Sequence, residues 1–186
     1  MSNGFSKQVS ELRLLRWDKN QFQHCLEWAK CSLRSEHYVS KMQYKLDDIL
    51  AKYEKVILSF ASQPKCLIHG EFFASNVIVD NSRDQLRVCP IDWETAGWGP
   101  GMMDLAALTA GKWSESQRKA MLRAYWKALD ASAAATWRSI AAMYAAYTHC
   151  RFHLAVRMLG QLPDWDPPLE HQHNWLEEAE LLAKKV

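Results

Sequence analysis

The stretch that decides the fold runs from Cys66 to Leu108 and reads CLIHGEFFASNVIVDNSRDQLRVCPIDWETAGWGPGMMDLAAL. It opens with a short apolar run, Cys66 to Ile68. Asn76 to Val79 and Leu86 to Asp92 are β-branched and apolar, and the six residues between them, Asp80 to Gln85, have the composition of a turn. That pattern predicts a β-hairpin. Asn76 and Asp92 stand sixteen residues apart, with Asp84 midway. Antiparallel pairing brings positions equidistant from a turn close together, so Asn76 and Asp92 are expected to lie near each other at the open end. Glu71, five residues before Asn76, lies in the loop that feeds the same end. Two carboxylates and a carboxamide oxygen therefore converge. Hard oxygen donors of this kind suit Mg²⁺, which is commonly held by one or two protein carboxylates together with substrate phosphates.

Outward from this stretch the pattern is helical. Asn20 to Leu33 carries Phe22, Leu26 and Ala29 on one stripe, and Val39 to Phe60 places Met42, Leu46, Ile49, Leu50, Tyr53, Val56 and Ile57 at three- and four-residue steps, ending before Pro64. Beyond Gly97-Trp98-Gly99-Pro100-Gly101, which reads as a chain-turning segment, Asp104 opens a helix to about Lys112. Ser114 with Gln117 forms a capping box for a helix over Glu115 to Leu129. Ala133 to Leu159 reads as one long helix, Leu162 to Pro168 as a loop, and Leu169 to Lys185 as the last helix, acidic early and basic late as the helix dipole favours. Helices, one hairpin and helices again describe a mainly α domain with a small β insert. Residues 1–65 are helical, 66–101 carry the loop and hairpin, and 102–186 are helical.

The 186 residues suffice for one domain with a sizeable core, and 48% hydrophobic with 24% charged residues is a globular balance. A net charge of +2 offers no electrostatic case for nucleic acid or a membrane surface. No apolar run reaches the roughly 18 residues of a membrane span. Nine Trp are read as packing residues. Five Cys without CxxC spacing, and no leader-like segment, fit a cytoplasmic protein with reduced thiols. His69-Gly70-Glu71 echoes the His-x-Glu of zinc deaminases, but that site needs Pro-Cys-x-x-Cys and the chain has only Cys89-Pro90. His149 and His153 lack a Glu after the first His, and His171 and His173 stand two apart; core or surface roles are expected for all four. Ser75 has no Gly-x-Ser-x-Gly context.

HGEFFASN, then IDWE, then GPGMMDLA, in that order and spacing, resembles the aminoglycoside phosphotransferase and choline kinase family, whose members share the catalytic lobe of protein kinases. The resemblance implies a kinase-like small-molecule phosphotransferase that moves the γ-phosphoryl of ATP or GTP to a hydroxyl acceptor. Under it Asn76 and Asp92 hold Mg²⁺ against the phosphates, and Glu71 receives the proton of the attacking hydroxyl. His69 packs beneath the loop and orients it, and Asp104 braces the loop. Asp164, Asp166 and Glu170 are candidate contacts for a cationic acceptor. Each residue also has a structural alternative, Asn76 as a turn starter, Asp92 and Glu94 as hairpin-end charges, and the acidic loop as solvated surface.

Two features depart from the family pattern. Glu71 stands where the motif carries Asp, and one extra methylene moves the carboxylate by something over ~1 Å, when a misplacement of about 1 Å can already alter a rate by about 10²-fold. About 68 residues precede His69; they read as helices and contain one glycine, Gly4, and no strand bearing a Lys. The resemblance is therefore to a C-terminal lobe alone, with the N-terminal β-rich lobe absent. That leaves a fragment, one half of a two-chain enzyme with an N-lobe-bearing partner, or a stand-alone remnant with a binding or scaffolding role, and the helical surface that would face the first lobe favours a partner or self-association. The rival function is a non-catalytic, kinase-derived binding or interaction protein.

Overall fold

The computed structural model describes residues 14–33, 43–82, 84–161 and 172–186. The elements in chain order are β1 (Leu15–Arg16), α1 (Lys19–Leu33), α2 (Gln43–Ile57) followed by a 3₁₀ turn (Leu58–Ser62), and β2 (Lys65–Ile68). A second 3₁₀ turn (Ala74–Asn76) leads into β3 (Val77–Asp80) and β4 (Arg87–Pro90), and β5 (Gly97–Pro100) follows. The rest is helical: α3 (Met102–Leu108), α4 (Glu115–Ala128), α5 (Ala131–Ala135), α6 (Ile140–Gln161) and α7 (Trp175–Ala183). The chain is mostly helical with two small sheets.

The apolar spacing of the helices explains their packing. Phe22, Cys25, Leu26, Ala29 and Leu33 form the buried stripe of α1, and Leu46, Ile49, Tyr53 and Val56 that of α2. Helix α6 is the spine. It is buried along most of its length from Met143 to Gly160 and packs against α1, α3 and α7. Ser114 and Gln117 close the capping box of α4 in both directions. Behind it Arg118 ties the α3–α4 turn together, donating to the carbonyls of Thr109 (3.1 Å), Gly111 (2.7 Å) and Trp113.

Several elements differ from the sequence reading. The Gly97–Pro100 segment is not a turn but the central strand of a three-stranded sheet, parallel to β1 and antiparallel to β2. Its glycine content reflects crowding: a Cβ at Gly97 would lie 2.5 Å from the Leu15 carbonyl oxygen. Part of the N-terminal stretch read as helical thus supplies a strand, Leu15–Arg16. The long helix expected from Ala133 is two helices. Thr136 hydroxyl folds back on the Ala133 carbonyl at 2.6 Å, and Ser139 Oγ then accepts from Ala142 N to start α6. The last helix begins at Trp175, capped by Asn174, whose side chain accepts from Glu177 N at 3.1 Å; His173 precedes it. The expected loop from Leu162 to Pro168, and the starts of the helices placed at Val39 and Leu169, lie outside the described residues. Among the described residues no helix is long and apolar enough to cross a membrane. All five cysteines are free.

A buried ion network locks α7 onto α6. Arg151 donates to Glu178 Oε1 at 2.6 and 3.1 Å, His173 meets the other Glu178 oxygen, and Glu115 reaches Arg151 at 3.2 Å. Burial pushes the Glu178 carboxyl up, but His173 and the Arg151 guanidinium outweigh it and hold the group below the usual carboxylate range. A folded value below the unfolded one means stability that is present above the unfolded value and lost as pH falls through the folded one. Glu178→Gln should therefore cost about 3 kcal/mol in urea unfolding at neutral pH, because it leaves Arg151 short of charge in a buried site. The same variant should lose less stability than the wild type when the midpoint is followed down into the acid range.

Candidate functional site

The site is built on the loop between β2 and β3. Asp104, in the first turn of α3, accepts from His69 N at 2.7 Å and from Gly70 N at 2.9 Å, one bond on each carboxylate oxygen. Burial pushes the Asp104 carboxyl up and the two amides pull it back; the balance leaves it above its ordinary value. Gly70 has φ +86°, and a Cβ there would lie 2.4 Å from the Thr95 carbonyl oxygen, so the position admits only glycine without strain. Thr95 Oγ1 donates to the His69 carbonyl at 3.1 Å. The loop is thus held to the segment after the hairpin as well as to α3.

His69 is almost fully buried. Its Nε2 donates to the Ile91 carbonyl at 2.7 Å, which fixes the tautomer, and its ring packs against Phe72 and Trp93. The imidazole therefore lies under the loop and pins the backbone one residue before Asp92. Asn76 Nδ2 donates to the Glu71 carbonyl at 2.9 Å, and Phe73 N donates to the same oxygen at 2.7 Å. Since the amide nitrogen is used in that bond, Oδ1 is the Asn76 atom left for a cation.

The hairpin pairs Val77 with Pro90, Ile78 with Cys89, Val79 with Val88 and Asp80 with Arg87. The pairing continues to Asn76, whose carbonyl accepts from Ile91 N at 2.9 Å. Asn76 is therefore opposite Ile91, and Asp92 stands one residue beyond the directly paired position. A one-residue shift alone would send the Asp92 side chain to the other face. Asp92, however, leaves the strand with φ +65°, the single non-glycine residue in that region among those described, and it is exposed. Asp tolerates this conformation better than most residues. Glu94, beyond it, is exposed too.

Glu71 carries a partner the sequence reading missed. Arg157, near the end of α6, donates from one terminal nitrogen to Glu71 Oε1 at 2.6 Å and from the other to the Gly70 carbonyl at 3.4 Å. The guanidinium carbon lies 5.6 Å from the Trp17 ring centroid. A signal existed in the sequence: Arg157 follows His153 by four residues on a helix whose surroundings are apolar, and a cation there requires a partner. His149 and His153 play packing roles, His149 Nδ1 with Ser59 Oγ at 2.7 Å and His153 with Tyr53 OH, and burial holds the His153 ring neutral, its pKa pulled down to about 3. Asp164, Asp166 and Glu170 lie outside the described residues. Among the described residues no group of three or more His, Cys, Asp or Glu side chains is placed to hold a metal. A site made of one carboxylate and one carboxamide oxygen is compatible with that, because Mg²⁺ keeps several waters and takes few protein ligands.

A family model described as the phosphotransferase enzyme family matches residues 7–143. The chain belongs to that family. Membership supports a kinase-like fold and a phosphotransferase lineage. No curated protein matches the chain significantly.

Two substitutions test the loop architecture. Gly70→Ala should destabilise the protein by about 2 kcal/mol or more, the cost of a positive φ at a residue with a Cβ and of the clash with Thr95. Asp104→Ala, which leaves two N–H groups without their acceptor, should cost about 2–4 kcal/mol. Both are read from denaturant midpoints, with the near-ultraviolet signal of Trp93 reporting loosening around His69.

Proposed function

We propose that the chain is a kinase-like small-molecule phosphotransferase domain that directs the γ-phosphoryl of a nucleoside triphosphate to a hydroxyl acceptor. The observation that carries this reading is the double tie of Asn76. Its side chain is bonded to the Glu71 carbonyl and its backbone carbonyl to Ile91 N. One residue thereby joins the candidate base to the backbone that presents Asp92.

Under this reading Asn76 Oδ1 and the Asp92 carboxylate hold Mg²⁺, which when bound neutralises phosphate charge and orients the γ-phosphoryl for in-line attack. Glu71 takes the proton from the acceptor hydroxyl as its oxygen bonds to the γ-phosphorus and the bond to the β-phosphate oxygen breaks. His69 and Asp104 hold the loop and do not touch the reacting atoms. ATP or GTP fits the donor role, and the acceptor is a small alcohol. The exposure of Asp92 favours access by a hydrated ion, and the partial burial of Glu71 favours a fixed carboxylate.

A second reading, a non-catalytic binding protein derived from a kinase, draws support from the hairpin. Ile78, Val79 and Val88 are more than half exposed, and the pairing puts Ile78 on one face and Val79 with Val88 on the other. Such apolar exposure suits a partner chain or a second copy.

Thermal-shift titration separates the two. A phosphotransferase domain should be stabilised by millimolar Mg·ATP or Mg·GTP, as any ligand that binds the folded state raises the midpoint. The shift should require Mg²⁺ and should be lost in Asp92→Ala and Asn76→Ala. Glu71→Gln should keep the shift yet lower phosphoryl transfer by about 10²-fold or more, as expected for loss of a general base. An absent shift with either nucleotide would favour the binding-protein reading.

A further inference from the structure

The Arg157 guanidinium holds two consecutive residues of the loop, the Glu71 carboxylate and the Gly70 carbonyl. Its side chain is 12% exposed and that of Glu71 27%, so the pair is sheltered but not sealed. The guanidinium is itself held. Trp17 covers it, and Trp17 is fixed by its backbone N–H, which donates to the Trp98 carbonyl at 2.9 Å, and by near-complete burial. One turn earlier on the same helix, His153 is bonded to Tyr53 and packed against Trp17, with ring centroids 5.4 Å apart. Arg157 therefore reaches Glu71 from a rigid base, and the direction of the pull is set by packing rather than by the loop.

The consequence for Glu71 is geometric. Oε1 is taken by Arg157 at 2.6 Å, and Oε2 has no partner among the described residues. Anchoring one oxygen narrows the rotation of the carboxylate, and so restricts the directions open to the second oxygen. The stem length matters as well. Shortening Glu to Asp withdraws the carboxylate by about 1.5 Å, which would stretch a bond of this length well beyond hydrogen-bonding range. We propose that Arg157 is a positioning residue for Glu71, and that this chain requires Glu at position 71 because only the longer stem meets the guanidinium. The proposal rests on the reading of Glu71 as the base. The two carboxylate oxygens then divide the work, Oε1 orienting and Oε2 accepting the proton.

The test uses the full chain with Mg·ATP as donor and water as stand-in acceptor, followed by ADP release. Arg157→Gln should lower kcat by about 10–10²-fold while leaving the KM for Mg·ATP essentially unchanged, since the guanidinium touches no nucleotide site in this reading. Glu71→Asp should fall by a similar factor, and Glu71→Asp combined with Arg157→Gln should be no worse than either alone. Arg157→Lys should recover part of the loss. A bridge that is only structural would lower the melting point of all these variants without separating kcat from KM. Arg157→Gln with wild-type or higher kcat, or multiplicative losses in the double variant, would overturn the proposal. Nitrogen-15 spectra of the arginine side chains decide it independently of turnover. Arg157 should show separate, slowly exchanging Nη signals in the wild type and averaged ones in Glu71→Asp, whereas unchanged signals overturn the proposal. If the wild type neither binds Mg·ATP calorimetrically nor releases ADP, the phosphotransferase reading fails, and the spectra alone decide the positioning claim.

Discussion

The Asp104 carboxylate, with one backbone N–H on each oxygen, is the interaction from which the rest of the site follows. A half-buried carboxylate is expensive to desolvate, and two charge-assisted bonds offset that cost. They also do something geometry alone could not. They hold Gly70 in a backbone conformation that only glycine enters freely, with His69 tied beside it, and so set the direction in which the chain leaves β2. From that point the contacts run in sequence. His69 reaches under the loop to the Ile91 carbonyl, Ile91 N returns to the Asn76 carbonyl, and the Asn76 amide returns to the Glu71 carbonyl. Each bond closes a loop around the same small volume. Release of Asp104 would loosen all of them together, so the three later bonds are better regarded as one cooperative network than as separate contributions.

Two arginines of α6 show how a helical spine can serve both core and site. Arg151 is buried beside Glu178 and Glu115, and its ion pairs fasten α7 and the start of α4 to the spine. Arg157 lies six residues further along and fastens the loop instead. Six residues correspond to about 600° of helical rotation, or two-thirds of a turn beyond one full revolution. The two guanidinium groups therefore leave α6 in different directions, one toward the C-terminal helix and one toward Gly70 and Glu71. The helix connects the packing of α7 to the placement of Glu71 without any mobile segment between them.

The site was legible in the sequence where contacts are local and obscure where they are not. The hairpin and the capping box at Ser114 follow from spacing within a few tens of residues, whereas a bracing role for Asp104 came only with the family resemblance. The pairing of Asn76 with Ile91 in particular is not legible in the sequence, because composition marks where a turn lies but not how its loop closes. Gly97 to Pro100 looked like a turn because glycine and proline usually make one. There the glycines instead clear room for Leu15 and Trp17, residues about eighty positions earlier, and no local window contains that fact. The break between α5 and α6 was hidden because an Ala-rich stretch is permissive for helix, while Thr136 and Ser139 compete for the backbone only once their hydroxyl groups find it. Arg157 was visible only as an unpartnered cation in an apolar helix. Its partner lies eighty-six residues away, and sequence spacing does not predict such a pairing.

On the proposed reading, the gradient of burial across the site is itself a division of labour. His69 is inaccessible, Glu71 is sheltered on one side by Arg157, and Asp92 faces solvent. A positioning imidazole needs no access, because its task ends at the Ile91 carbonyl. A base needs one oxygen fixed and one reachable, which a one-sided ion pair supplies. A ligand for Mg²⁺ needs water around it, because that ion gives up its hydration reluctantly and keeps several waters when bound. Burying Asp92 would exchange those waters for a desolvation penalty that one carboxamide could not offset. The left-handed backbone falls at Asp92, the exposed residue directly after the Ile91 carbonyl that His69 pins from beneath.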